Sequence, residues 1–146
     1  MPYVSLNPAT GELVQTFSTW DDQRLNDALE NTRRAWQAWR RSGLSQRAEV
    51  LHRAAAVLLA NRDDYAALIT REMGKPLRES HAEVEKCALG CDYYAHHAAH
   101  FIADELIETD AAKSYVTYPP LGTVLAVMPW NFPFWQVFRC AVPAIA

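Results

Sequence analysis

Residues 123–135 read TVLAVMPWNFPFW. The first six, TVLAVM, form a continuous apolar run bounded by turn residues, which predicts a strand buried on both faces, as in a parallel sheet. Pro129 removes a backbone donor and ends the run. One carboxamide, Asn131, then stands between Pro129 and Pro133, with Trp130, Phe132, Phe134 and Trp135 around it. Residues 134–145 have a composition compatible with a helix. Strand, tight loop and helix in that order open a βαβ unit. Two readings of the loop remain open on the residues alone: a well-packed core loop, or a backbone held rigid so that one amide points at a ligand.

A strand apolar on both faces needs neighbouring strands and covering helices. The rest of the chain offers at most one or two partners, and a two-stranded unit is marginal in water. The last seven residues, CAVPAIA, are apolar and carry no helix stop signal. The expectation is therefore the front part of a longer protein, ending inside a helix.

Working outward, residues 114–119 predict a strand and Pro120-Leu121-Gly122 a turn. From Tyr115 onward Arg139 is the only charged residue. Before about Leu106 the chain is rich in alanine and mixed charge, and helical spacing dominates. Near the start, Asn7-Pro8-Ala9-Thr10-Gly11 has turn chemistry, because Pro presets φ and Gly supplies a positive φ. It predicts a hairpin of residues 3–6 and 13–17. Thr19 with Asp22 resembles a capping box. Leu25, Ala28, Leu29, Thr32, Trp36 and Trp39 then recur at helical spacing, and Gly43 would end that helix. Ser45 would cap a second helix with Ala48, Leu51, Ala55, Leu58 and Leu59 on one face. A third helix is expected over about 63–73, stopped by Gly74 with Pro76 beyond. A fourth is expected over about 77–107, facing inward with Val84, Cys87, Cys91, Tyr94, Ala98 and Phe101.

The chain has 146 residues, which fits one domain, and a net charge of −3 with both signs mixed. With no basic stripe, nucleic acid is an unsuitable partner. The start, MPYVSLNPATGELV, has no signal-peptide pattern. Three cysteines without a CxxC pair suggest free thiols and a cytoplasmic setting.

Several groups invite a chemical reading. Cys87/Cys91 and His96/His100 are i,i+4 pairs with metal-ligand spacing, and His97 adjoins them. At about 100° per residue the two pairs point to nearly opposite sides of one helix, so they do not share an ion. No metal site is expected. Cys140 has no sequence-local base and lies among apolar residues, which reads as packing. Glu83 and Glu85 with Lys86 read as surface partners of one another and of His81. Residues 124–146 are apolar and long enough to cross a bilayer, so a helical head on a C-terminal membrane anchor is the alternative from a different class. Three prolines, Asn131 and Arg139 oppose it.

Asn131 lies outside the carboxyl end of the expected strand, where open α/β sheets bind ligands. Its amide can donate to an oxygen that gains negative charge. Phe132, Trp135 and Arg139 are spaced i, i+3, i+7, so a helix would put them on one face: two aromatic walls and a guanidinium suited to a carboxylate.

The motifs NPATGE (residues 7–12), REMGKP (71–76) and PPLGTVLAVMPWNFP (119–133) occur in that order over almost the whole chain. Together they resemble the NAD(P)-dependent aldehyde dehydrogenase superfamily. CDYYAHHA and PWNFPFWQVFR are similar to its bacterial succinate-semialdehyde dehydrogenase branch. PWNFP is the specific motif; the other two strengthen it.

The resemblance implies an α/β fold: an N-terminal helical region (1–112) of a cofactor domain, a β-arm strand for oligomerisation (113–122), and the first strand, loop and helix of a Rossmann-like parallel sheet (123–146). It implies that a cysteine thiolate attacks an aldehyde, that hydride passes to NAD or NADP, and that water hydrolyses the thioester. Asn131 matches the asparagine that holds the oxyanion. Val127, Met128, Pro129, Trp130 and Asn131 match the segment along the cofactor. Phe132 and Trp135 match positions lining the aldehyde tunnel, and Arg139 an arginine for the distal carboxylate of succinate semialdehyde. The nucleophile, general base and glycine turn of that family find no match here, and Cys87, Cys91 and Cys140 do not match the nucleophile. The implied partners are a small aldehyde and, at full length, further copies in a dimer or tetramer, with no membrane. A dehydrogenase for another short aldehyde, with Arg139 only structural, is the nearest alternative.

Overall fold

The computed structural model describes residues 2–146. The hairpin pairs β1 (Tyr3–Leu6) antiparallel with β2 (Leu13–Phe17), with an irregularity of register at Ser5/Leu6. Its turn forms as the residues dictate. The Asn7 side chain accepts from Ala9 N at 2.9 Å, and Gly11, at φ +73°, donates to Asn7 O at 2.8 Å.

Five helices follow: α1 (Asp22–Trp39), α2 (Leu44–Ala60), α3 (Arg62–Met73), α4 (Leu77–Phe101) and α5 (Trp135–Ile145). Between the last two, β3 (Glu105–Leu106) pairs antiparallel with β4 (Tyr115–Val116). The core lies where α4 packs between α2, α3 and α5. It contains Leu51, Ala55 and Leu58 from α2, Ile69 from α3, Val84, Cys87, Ala88 and Cys91 from α4, and Val142 from α5. No helix among the described residues is long and apolar enough to cross a membrane.

The end of α3 is where two sequence motifs meet. Gly74 takes the left-handed conformation, φ +75°, and donates to Thr70 O at 2.8 Å, closing the helix. A Cβ on Gly74 would sit 3.1 Å from Pro8 Cγ, in the hairpin turn. Ser5 Oγ donates to Glu72 beside it. Gly74→Ala therefore meets both a backbone penalty of about 1–2 kcal/mol for left-handed geometry and the proline ring. The expected loss of at least that size should appear as a lower urea midpoint, and an unchanged midpoint would contradict the argument.

Several boundaries differ from those expected. Asp21, rather than Thr19 with Asp22, caps α1, its carboxylate accepting from Arg24 N at 2.8 Å. Arg40 ends α1, and Gly43 begins α2 instead of closing the preceding helix. Its carbonyl accepts from Arg47 N, while Ser45 sits inside the first turn as no cap. The apolar stripe of α1 holds no fully buried residue: Ala28, Trp36 and Trp39 are half-buried, and Leu25 and Leu29 are exposed. Leu59 and Phe101, expected inward, are exposed.

The fourth helix stops at Phe101 rather than near 107, and Glu105–Leu106 joins the short sheet instead. Past Tyr94 and Ala98 the helix has outrun the elements it packs on, so propensity alone no longer holds it. Residues 123–128 are not a strand: no described residue hydrogen-bonds to them, and both sheets present are antiparallel. An extended segment becomes a strand only when a neighbour supplies the ladder.

Glu83 departs furthest from expectation. Read from sequence as part of a solvated charged face, it is 4% exposed and buried within the core-facing side of α4.

Candidate active site

The turn at residues 130–134 leads into α5, and its position follows from that buried carboxylate. Burying an ionised carboxylate is costly unless it is paired and hydrogen-bonded. Glu83 meets both conditions. One oxygen, Oε2, takes Lys75 Nζ as a salt-bridge partner. The other, Oε1, accepts from Phe134 N at 2.9 Å and Trp135 N at 3.0 Å. These are donors at the start of α5, which no side chain of its own segment caps. A negative charge there also faces the positive end of the helix dipole.

Lys75, 7% exposed, completes the arrangement. Its ammonium lies 3.6 Å from the centroid of the Phe132 ring, close enough for a cation–π attraction. Lys86 Nζ lies 4.1 Å from the Trp135 ring in the same way. Phe134 packs on Tyr65 at 5.2 Å between centroids and stacks with Phe138 at 6.3 Å. The turn is thus tied to α3, to the segment after it and to α4.

Asn131 stands on this fixed turn. It is exposed, and its side chain has no hydrogen-bond partner among the described residues. Val127 is 85% and Trp130 79% exposed, while Met128 is half-buried and Pro129 exposed. Phe132 is 43% exposed and lies ahead of α5, so the expected i, i+3, i+7 face is helical only from Trp135 to Arg139. Trp135 is turned partly into the core, and Arg139 is exposed with no ion pair among the described residues.

Two surface concavities lie elsewhere. One of about 550 Å³ is lined by the α2–α3 junction and Glu85. One of about 150 Å³ lies between α2, α4 and Ala146. Asn131, Phe132, Trp135 and Arg139 line neither.

The cysteines of α4 are inert in this setting. Burial pushes the Cys87 thiol up to about 12, with the nearby Glu83 charge adding to it. Burial, then Asp92, raises Cys91 to about 11. Near neutral pH both remain protonated, and the thiolate is the nucleophilic form. The imidazoles of His96, His97 and His100 are exposed while both thiols are buried, so the two i,i+4 pairs do not converge. His52 pairs with Asp92 at 2.8 Å, and His96 Nδ1 lies 2.7 Å from Asp92 O.

Sequence reasoning missed Glu83 and Lys75. A signal was present: Glu83 is four residues before Cys87 and adjacent to Val84, on the stripe that α4 buries.

The family model described as the aldehyde dehydrogenase family matches residues 2–146. Over 145 residues the chain is 48% identical to a probable succinate-semialdehyde dehydrogenase (NADP(+)) of Synechocystis sp., covering 99% of this chain and 32% of that protein. A succinate-semialdehyde dehydrogenase (NADP(+)) of Mycobacterium avium is 44% identical over 149 residues, with the same 99% and 32% coverage. The crystal structure of succinic semialdehyde dehydrogenase from Streptococcus pyogenes, in complex with NADP+, superposes with a TM-score of 0.92 at 38% identity. That match covers 97% of this chain and 31% of the other. The chain spans about a third of the length of the curated relatives it matches.

Proposed function

The chain belongs to the aldehyde dehydrogenase family, and from that premise we propose that it supplies the oxyanion donor, a cofactor-facing segment and a carboxylate-binding arginine to an NADP(+)-dependent succinate-semialdehyde dehydrogenase. The observation that carries this reading is Asn131: a carboxamide with no partner of its own, displayed on a turn fixed by buried charge. The succinate-semialdehyde relatives supply the substrate and NADP(+) the cofactor.

Residues 127–131 suit a flat nucleotide cofactor. Val127 and Trp130 present apolar surface, and no backbone amide of the segment is engaged within the described residues. The chemistry the cofactor supplies when bound is hydride acceptance. What this chain contributes is electrostatic. As a thiolate sulfur bonds to the aldehyde carbon, the carbonyl π pair moves onto oxygen, and Asn131 Nδ2 donates a hydrogen bond to that oxygen. The thiolate comes from a cysteine other than Cys87 and Cys91, whose burial keeps them protonated. Phe132 walls the aldehyde path, and Trp135 backs it from the core side. Residues 113–122, with exposed Tyr115 and Val116, belong to an arm that meets another copy. The enzyme works as a cytoplasmic homo-oligomer.

Arg139 sets the substrate. Its exposed guanidinium offers two parallel donors to a carboxylate. A hydrogen bond to a charged group contributes about 1.5–3 kcal/mol, so Arg139→Leu should raise KM for succinate semialdehyde about 10- to 100-fold. A neutral aldehyde of equal length should show little change. Equal effects on the two aldehydes would reassign the enzyme to another short aldehyde and leave Arg139 as scaffold.

A further inference from the structure

We infer that Glu83 and Lys75 are positioning residues for Asn131, a role that rests on the oxyanion reading proposed above. The two buried side chains tie down the chain on the C-terminal side of that asparagine at successive points. Lys75 holds the ring of Phe132, the next residue, at 3.6 Å. Glu83 Oε1 holds the amides of Phe134 and Trp135, at 2.9 and 3.0 Å. Glu83 Oε2 joins the two anchors to each other. Pro133 restricts φ within the span and Pro129 does so on the other side of Asn131, so few torsions remain free between the anchors and the Asn131 Cα.

A buried ion pair is weak evidence for stability, because apolar residues of similar volume often serve as well. What such residues do not do is fix direction. Here one carboxylate sets two N–H vectors and one ammonium at once. A preorganised donor must be aimed where charge develops before it develops, and a misplacement of about 1 Å caused by a remote change costs on the order of 10²-fold in rate. Glu83 itself is 4% exposed, with both carboxylate oxygens engaged by Lys75 and by the start of α5, so it does not reach substrate and acts only through the turn.

The test is a double-mutant cycle in the full-length protein between Glu83→Gln and Asn131→Ala, reading kcat per active site titrated by the burst of reduced cofactor. Gln keeps an oxygen for the two amides while removing the charge that Lys75 requires. In the native background, Glu83→Gln should lower kcat about 10- to 100-fold, with KM for the aldehyde nearly unchanged. In the Asn131→Ala background it should lower kcat by less than about twofold, since independent sites add and coupled ones do not. Equal losses in both backgrounds, or no loss in the native one, overturn the inference alone. A kcat unaffected by Asn131→Ala by itself overturns the oxyanion reading and this inference with it. Should Glu83→Gln fold poorly, Lys75→Met/Glu83→Gln removes both charges and is read in the same cycle. Lys75→Arg, which keeps the charge over Phe132, should restore part of the rate that Lys75→Met loses.

Discussion

With the oxyanion role proposed for it, Asn131→Ala in the full-length protein should lower kcat by about 10²–10³-fold, the usual consequence of removing one oxyanion donor, while the unfolding midpoint stays near that of the parent. The two halves of this expectation have separate causes. The rate falls because the donor matters only when the carbonyl oxygen becomes an alkoxide. The ground-state aldehyde gains little from it, so KM changes less than kcat. The fold survives because the carboxamide is exposed and makes no hydrogen bond among the described residues; surface substitutions of that kind stay within about ±0.5 kcal/mol. Asn131→Asp should be as slow or slower, since a carboxylate repels the developing charge. Steady-state kinetics on titrated enzyme, beside a urea melt, checks both halves. A kcat within about threefold of the parent would be too small for a lost oxyanion donor and would remove Asn131 from the chemistry.

That expectation could be written from the sequence, whereas the support beneath it could not, and the difference is one of range. The hairpin was legible to the residue because its determinants are local: the Asn7 side chain, the Pro8 ring and the positive φ of Gly11 all act within the turn. Gly74 closing α3 is likewise a matter of one residue's torsions. Asn131 stood out because two prolines and four aromatics isolate it, and because the surrounding motif resembles a known family. Glu83 depends on Lys75, eight positions earlier, and on amides 51 and 52 positions later. No window of helical periodicity contains those partners, so the sequence displays only the carboxylate's charge, which points to water. The segment 123–128 failed for a related reason. Its apolar pattern states what it can pair with, but a strand exists only where a second backbone is present. The stripe on α1 makes the same point, with Leu25 and Leu29 at core spacing and both exposed.

The largest effect on stability should come from breaking the Lys75–Glu83 pair one side at a time. Removing one partner of a buried pair leaves the other charge uncompensated and costs about 3–5 kcal/mol. Surface pairs such as Arg33–Glu30, both largely exposed, contribute far less by contrast, because water screens the two charges. Glu83→Ala should lie at the upper end of the buried range. It strands the Lys75 ammonium, with only the Phe132 ring against it among the described residues, and it also orphans Phe134 N and Trp135 N at the start of α5. Lys75→Ala should cost somewhat less, because Glu83 keeps those two donors and its place at the positive end of the helix. Lys75→Met/Glu83→Gln should cost less than the sum of its single substitutions, since neither variant side chain carries a charge that needs a partner. Urea unfolding of the parent, Lys75→Met, Glu83→Gln and the double variant, compared at constant m, measures the cycle, and the two alanine variants are read beside it. Single-substitution losses under about 1 kcal/mol, the magnitude of an exposed pair, would mean that water reaches this carboxylate and ammonium in solution. The turn carrying Asn131 would then be held by its prolines and aromatic packing alone.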